Sequence, residues 1–261
     1  MPAIGMGTWI TFNVGGSVAL RNARTEVLRA FFEAGGTFID SSPMYGSSEE
    51  VIGYALGKTG SEQTFTATKT WTGSTTEARQ QLSDSQRLWG RNQFDLLQVH
   101  NLVGWREHLP WFKELKHAGI IRYVGVTTSH GRRHDEIEQI LKTQSLDFVQ
   151  LTYNLIDTDA QRRLIPLARD KGIAVICNRP FRGGGLTKHT ERKKVPNWAD
   201  ELQCQTWPQL MLKFIISMPG VTVAIPATSQ VAHMKENMQA MYGVLPDEKQ
   251  RNEIRQAFSN L

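Results

Sequence analysis

Three short apolar runs of this chain end in a titratable side chain. Phe38-Ile39-Asp40 ends in a carboxylate, Phe65-Thr66-Ala67-Thr68-Lys69 in an amine, and Leu96-Leu97-Gln98-Val99-His100 in an imidazole. The segment Ser41-Ser42-Pro43-Met44-Tyr45-Gly46 adds a phenol just beyond the first run. Acid, phenol, amine and imidazole delivered from the ends of successive strands is how a barrel assembles one proton-handling site. Each group alone has a plainer reading. Asp40 could cap the next helix, Lys69 could be a strand-end charge in solvent, Tyr45 a packed loop aromatic and His100 a core histidine. Their occurrence in order, one per strand–helix unit, favours the joint reading.

Those groups need elements to carry them. Continuous apolar runs predict strands at Ala3–Met6, Thr37–Asp40, Thr64–Thr68, Leu96–Val99, Tyr123–Val126, Phe148–Leu151, Ala174–Cys177 and Val221–Ile225. Amphipathic stretches between them predict helices at Arg24–Ala34, Glu49–Leu56, Thr76–Leu88, Trp111–Ala118, Arg133–Lys142, Asp159–Lys171 and Trp207–Ser217. Gly35-Gly36, Gly119 and Gly172 fall where a helix ends in a left-handed residue. Runs that are apolar throughout, not alternating, are those of parallel strands buried on both faces. Eight such units within 261 residues, with no linker-like segment, predict an α/β fold: a (β/α)8 TIM barrel forming a single domain over residues 1–261. An open doubly wound sheet is the competing topology. Two loops are longer than ordinary connections, from Trp9 to about Asn22 and from Phe181 to about Cys204, and such loops on a barrel are usually ligand loops or lids.

Lys and Arg total 30 against 25 Asp and Glu, a net charge of +5. Much of the excess lies in Arg179, Arg182, Lys188, Arg192, Lys193 and Lys194, which fits contact with an anionic small molecule or a solvated basic loop; no nucleic-acid partner is expected. No run of ~18 apolar residues exists, so no membrane partner is expected either. Cys177 and Cys204 form no metal-spaced motif, and neither a disulfide nor a metal is assigned. The chain as it stands fits the cytoplasm, or export if a leader is missing.

The ordered set Gly5-Met6-Gly7-Thr8-Trp9, Phe38-Ile39-Asp40 with Tyr45-Gly46-Ser47-Ser48-Glu49, Thr68-Lys69 and Leu96-Leu97-Gln98-Val99-His100-Asn101 resembles the aldo-keto reductase family. The resemblance continues through Ile121-Arg122-Tyr123-Val124-Gly125-Val126, Gln150, Tyr153-Asn154, Ile225-Pro226 and Glu236-Asn237. It implies a barrel that binds a nicotinamide dinucleotide without a Rossmann domain, and no strand–G-x-G-x-x-G–helix fingerprint stands in the sequence. It also implies a catalytic tetrad of Asp40, Tyr45, Lys69 and His100. A carbonyl receiving hydride develops negative charge on oxygen and needs a proton there. Tyr45 would give it, with Lys69 expected to lower a phenol pKa near ~10 toward the working range. Asp40 would hold Lys69, and His100 would orient the substrate oxygen.

By the same resemblance, Gln150 and the pair Thr127-Thr128 would hold the nicotinamide carboxamide, the threonines standing where the family has Ser-Asn. Asn178 occupies the place of an aromatic residue that stacks on the nicotinamide, and Phe181 is left to supply apolar surface. Arg179, Arg182 and Gly183 suit a pyrophosphate. Thr228 and Ser229 would meet a phosphate at a helix N-terminus, with His233, Glu236 and Asn237 further along that helix and Asn237 on the adenine. Ala227 and His233 replace basic residues that favour NADPH, so the cofactor is read as NADPH with NADH possible. Trp9, Trp71 and Trp105 are candidate walls for a small-molecule carbonyl substrate, an aldehyde or simple ketone. An N-terminal hairpin is expected to be absent and the C-terminal tail short, leaving an open site. Two other readings remain: a redox-sensing or regulatory barrel with little turnover, and a non-redox lyase or isomerase reusing Asp40 and Lys69.

Overall fold

Val, Ile, Leu and Phe on both faces of a strand can be buried only if helices cover one face and other strands' side chains fill the other. The computed structural model, which describes residues 1–60 and 63–261, shows that solution. Strands β1 (Met6–Gly7), β2 (Phe38–Asp40), β3 (Phe65–Thr70), β4 (Phe94–Val99), β5 (Ile121–Thr127), β6 (Phe148–Thr152), β7 (Ala174–Asn178) and β8 (Val221–Ala224) pair in parallel and in sequence order. The ends of the sheet meet through bridges from Ile4 to Ala224 and from Gly7 to Ala227. There the Gly5 N–H donates to the Ala224 carbonyl at 2.8 Å and the Gly7 N–H to Pro226 at 3.0 Å. Gly7 has no room for a side chain, since a Cβ would meet the Ile225 carbonyl at 2.8 Å.

Around the strands run α1 (Val18–Glu33), α2 (Ser48–Thr59), α3 (Thr75–Trp89), α4 (Trp105–His117), α5 (His134–Thr143), α6 (Leu164–Asp170), α7 (Gly185–Thr190), α8 (Trp207–Ile216), α9 (Val231–Gln239) and α10 (Glu248–Ser259). Alternation along each strand divides the interior into two cores. Ile39, Leu97, Val99, Val124, Val149, Leu151 and Val175 face the helices. Phe38, Ala67, Leu96, Phe148, Ile176, Val223 and Ile225 face the barrel axis. Below them Phe65 stacks on Tyr123 at 5.8 Å and on Phe38 at 5.2 Å. Above them the inward positions turn polar: Asp40, Gln98 and Gln150 from β2, β4 and β6, then Lys69, Thr127 and Asn178 from β3, β5 and β7. That change from oil to amide and charge marks the end of the barrel where the chemistry sits. Among the described residues no helix is long and apolar enough to cross a membrane.

The expected elements are all present, with shifted limits. β1 is shorter than Ala3–Met6, because Ile4 pairs only in an isolated bridge. α1 begins at Val18, well before Arg24, because the Ser17 side chain caps it by accepting from the Leu20 N–H; the loop from Trp9 is therefore shorter than expected. The single helix expected over Asp159–Lys171 is a 3-10 turn, Asp159–Gln161, followed by α6. The long segment from Phe181 to Cys204 is not bare loop, since it holds α7 and 3-10 turns at Arg182–Gly184 and Asn197–Leu202.

Candidate active site

Asp40 closes β2, and Lys69 lies on β3 beside it, wholly buried. Lys69 Nζ donates to Asp40 Oδ2 at 2.6 Å and to the Ser41 carbonyl at 2.7 Å. The other carboxylate oxygen, Asp40 Oδ1, accepts from Gln98 Nε2 at 3.0 Å and Gln150 Nε2 at 2.9 Å. Tyr45 stands in the turn after β2, its N–H donating to the Ser42 carbonyl at 3.0 Å. The Lys69 ammonium is 5.2 Å from the centre of the Tyr45 ring, and the His100 ring meets that ring edge-on at 5.8 Å. His100 Nδ1 lies 3.2 Å from Ser42 Oγ. The three strand-end groups and Tyr45 thus converge at one end of the barrel.

Their protonation follows from burial and neighbours. Burial pushes the Tyr45 phenol above its usual value; the Lys69 charge pulls it down, but not enough, and Asp40 and Glu49 add to the upward push. The expectation that Lys69 brings this phenol toward neutrality is therefore corrected: desolvation wins, and Tyr45 stays protonated at neutral pH. Burial acts against the Lys69 charge, yet the Asp40 carboxylate outweighs it and holds the ammonium above its ordinary value. Burial, helped by the Lys69 charge, pulls His100 down to about 3. The set at neutral pH is a neutral phenol, a charged amine and a neutral imidazole.

Glu49, at the start of α2, is buried on the outer side of β3. It accepts from Thr68 Oγ1 at 2.6 Å, Ser85 Oγ at 2.8 Å and Trp89 Nε1 at 3.0 Å, and burial raises its pKa. It ties α2 and α3 to the strand that carries Lys69.

A cavity of about 540 Å³ opens over these groups, with Trp9, Tyr45, His100, Gln150, Asn178, Arg179, Phe181, Gly183, Thr228, Ser229, His233, Glu236 and Asn237 among its walls. Thr127 and Thr128 line it too, but their hydroxyls serve the loops: Thr127 Oγ1 accepts from the Asn101 N–H at 3.0 Å, and Thr128 Oγ1 donates to the Arg132 carbonyl at 2.6 Å. Asn178 Nδ2 donates to the Thr128 carbonyl at 2.8 Å and to Gln150 Oε1 at 3.3 Å, while its own Oδ1 accepts from Thr152 at 2.6 Å. Where a stacking ring was absent from the sequence, the structure has a clamped amide. Arg179 Nε is buried without a partner, an orphan donor on the cavity wall. Gly183 and Gly184 beside it have φ of 70° and 91°, which turns the backbone tightly along the cavity.

Several expected site residues lie elsewhere. Arg182 is turned out of the cavity to meet Asp157 at 3.1 Å. Trp71 is exposed beyond the walls, its N–H donating to Gln81 at 2.7 Å. Trp105 packs against the outer core and donates from Nε1 to Glu136 at 2.8 Å, because α4 turns its indole toward α5. Of the three tryptophans only Trp9 faces the cavity. Residues that motif reading passed over also belong here. Ile10 and Met44 line the mouth, and His130 lines the wall beside Arg179. Gln98 reaches Asp40 from inside the barrel, and its sequence signal was a lone amide within an apolar run.

The fold agrees with what known proteins show. The family model for the aldo/keto reductase family matches residues 3–257. Methylglyoxal reductase YeaE of Escherichia coli (strain K12) is 28% identical over 245 residues, covering 91% of this chain and 84% of its own. An NADH-specific methylglyoxal reductase of the same organism is 28% identical over 249 residues, covering 81% of this chain and 73% of its own. Among solved structures, an aldo/keto reductase from Klebsiella pneumoniae in complex with NADP and acetate superposes with a TM-score of 0.83 at 24% identity, over 99% of this chain and 92% of its own. With eight parallel strands closed into a barrel and a family match over almost its whole length, this chain belongs to the aldo/keto reductase family of oxidoreductases.

Proposed function

We propose that this protein reduces aldehydes and simple ketones to alcohols with NADPH, NADH also being accepted, and that Tyr45 is the proton donor. The observation that carries the reading is the neutral phenol of Tyr45 beside the buried Lys69–Asp40 pair on the wall of one cavity. The relatives named as methylglyoxal reductases act on a small carbonyl compound, the same class of substrate.

The residues present suit a nicotinamide dinucleotide. Gln150 offers an amide at the cavity floor, Arg179 an unpaired guanidinium N–H, and Gly183–Gly184 a backbone that anionic oxygens can approach closely. Thr228 and Asn237 offer polar groups at the start and along the length of α9. When bound, the nicotinamide supplies the hydride. The rest is done by this chain. In this reading the carbonyl oxygen meets Tyr45 and His100, both on the cavity wall, and the neutral imidazole donates a hydrogen bond that aligns it. When Ser42 Oγ, 3.2 Å away, donates to Nδ1, the proton that the imidazole offers the carbonyl sits on Nε2. As negative charge grows on the oxygen, Tyr45 passes its proton to it, and the Lys69 ammonium stabilises the phenolate left behind. Asp40 keeps that ammonium in place. In the alcohol-to-carbonyl direction the phenolate is the base.

Tyr45→Phe removes the donor and little else. Carbonyl reduction is expected to fall by about 10²–10⁴-fold, with nucleotide affinity, read from quenching of tryptophan fluorescence, unchanged. Turnover equal to that of the wild type rejects the assignment.

A further inference from the structure

The barrel interior poses one arrangement that the proton-transfer scheme leaves unused. Gln98 is wholly buried, two residues before His100 on the same inward face of β4, and does not reach the cavity. One position lower on that face Leu96 fills space with hydrocarbon. An unpaired amide there would be costly, so its partners explain its presence. Gln98 Nε2 donates to Asp40 Oδ1 at 3.0 Å, and Gln98 Oε1 accepts from Gln150 Nε2 at 3.3 Å. A carboxylate only accepts, so both glutamines must turn their NH2 groups toward Asp40. That fixes Gln150 with its Oε1 directed at Asn178 on the cavity wall. Gly125, the register partner of Gln98 on β5, makes the room, since a Cβ there would meet Gln98 Cγ at 3.2 Å and the Phe148 carbonyl at 3.0 Å.

We propose that Gln98 is a positioning residue for the reaction, holding Asp40 toward Lys69 and bracing Gln150 in the orientation in which it meets the cofactor. The inference rests on the proton-transfer reading above. Two amides bracket one oxygen of Asp40 and Lys69 takes the other, so the carboxylate cannot swing and its charge is shared among three donors. Remove Gln98 and two things change together. Asp40 bears more heavily on Lys69 and Tyr45, and Gln150 keeps Asp40 but loses the second of its two acceptors. Gln98 thereby braces, from outside the cavity, the Gln150–Asp40 contact that joins the cofactor wall to the proton-donor pair.

Gln98→Met keeps the length and removes both hydrogen bonds. Gln98→Glu keeps the shape and sets a second carboxylate against Asp40. The ionisation of Tyr45 is followed by phenolate absorbance against the matching Tyr45→Phe protein without nucleotide, together with the pH profile of kcat and a thermal melt. The midpoint of the Tyr45 titration is expected to rise by about half a pH unit in Gln98→Met and further in Gln98→Glu. Alongside, kcat should drop about tenfold, with KM for the carbonyl within about threefold. Folded Gln98→Met with a Tyr45 titration and a kcat profile that superimpose on the wild type's overturns the proposal. If that variant does not fold, the titration of Gln98→Glu decides in the same way. A wild-type protein that reduces no carbonyl defeats the proposed function instead, while the titration, which needs no turnover, still judges Gln98.

Discussion

Lys69 Nζ lies 2.6 Å from Asp40 Oδ2, and both side chains are sealed from solvent. A buried pair of this kind contributes less by forming than it costs to break, because one partner's removal strands the other's charge. Lys69→Met is therefore expected to lose about 3–5 kcal/mol of stability, besides activity. The double variant Lys69→Met/Asp40→Asn should recover much of that loss, since neither charge remains. Urea denaturation of the two variants and the wild type checks this; a single variant as stable as the wild type contradicts it.

The neutral imidazole has a consequence for acid stability. His100 titrates at about 3 in the folded protein against an ordinary 6.5. Between those values the unfolded chain binds a proton that the folded chain refuses, so stability falls as pH falls. The slope from this group approaches about 1.4 kcal/mol per pH unit. His100→Gln should flatten the decline between pH 6.5 and about 3. Glu49, whose raised pKa acts in the opposite sense, is present in both proteins and cancels in the comparison. Equal slopes of unfolding free energy against pH in the two proteins would refute the assignment.

Ala227 lines the cavity at the end where α9 begins, and no lysine or arginine joins it there among the described residues of the wall. The charged side chain of that stretch is the carboxylate Glu236. Ala227→Lys adds one cation. The NADPH/NADH ratio of kcat/KM should rise about tenfold, the worth of one charge-assisted contact of ~1.4 kcal/mol. An unchanged ratio places the 2′-phosphate elsewhere.

The tryptophans separate by position. Trp9→Ala should raise KM for carbonyl substrates several-fold, because it removes a wall of the cavity. Trp71→Ala should leave KM and kcat as they are, because its indole lies outside that wall. Steady-state kinetics on the two variants distinguish them, and equal effects would mean that the loop after β3 folds over the substrate.

Some of this was open to reading in the residues. The strand ends Asp40, Lys69 and His100 were visible because each follows a local apolar run, and local runs survive folding. Gln150 and Asn237 were reached through resemblance. The start of α1 was missed because Ser17, its cap, precedes a stretch that looks like loop. Trp71 and Trp105 were misplaced because sequence tells which end of the barrel a side chain is near, not which way it turns. Gln98 needed more still. An amide inside an apolar run declares itself unsatisfied, but its partners lie on β2 and β6, and only the closed barrel brings them together. The protonation of Tyr45 turned on the same gap: the Lys69 charge was foreseeable, while the depth of burial that outweighs it was not.

The seam between β1 and β8 sets an order of events. Gly7, Thr8 and Trp9 stand on one side of it, and Ile225, Ala227 and Thr228 on the other, all facing the same cavity. β1 must therefore wait for β8, a contact of very long sequence separation and so slow to form. β2 to β7 can pair, collect their helices and bury most of the core while the nucleotide cavity still lacks a wall. Nucleotide binding draws on both sides of that seam, so its appearance during refolding reports the closing of the ring.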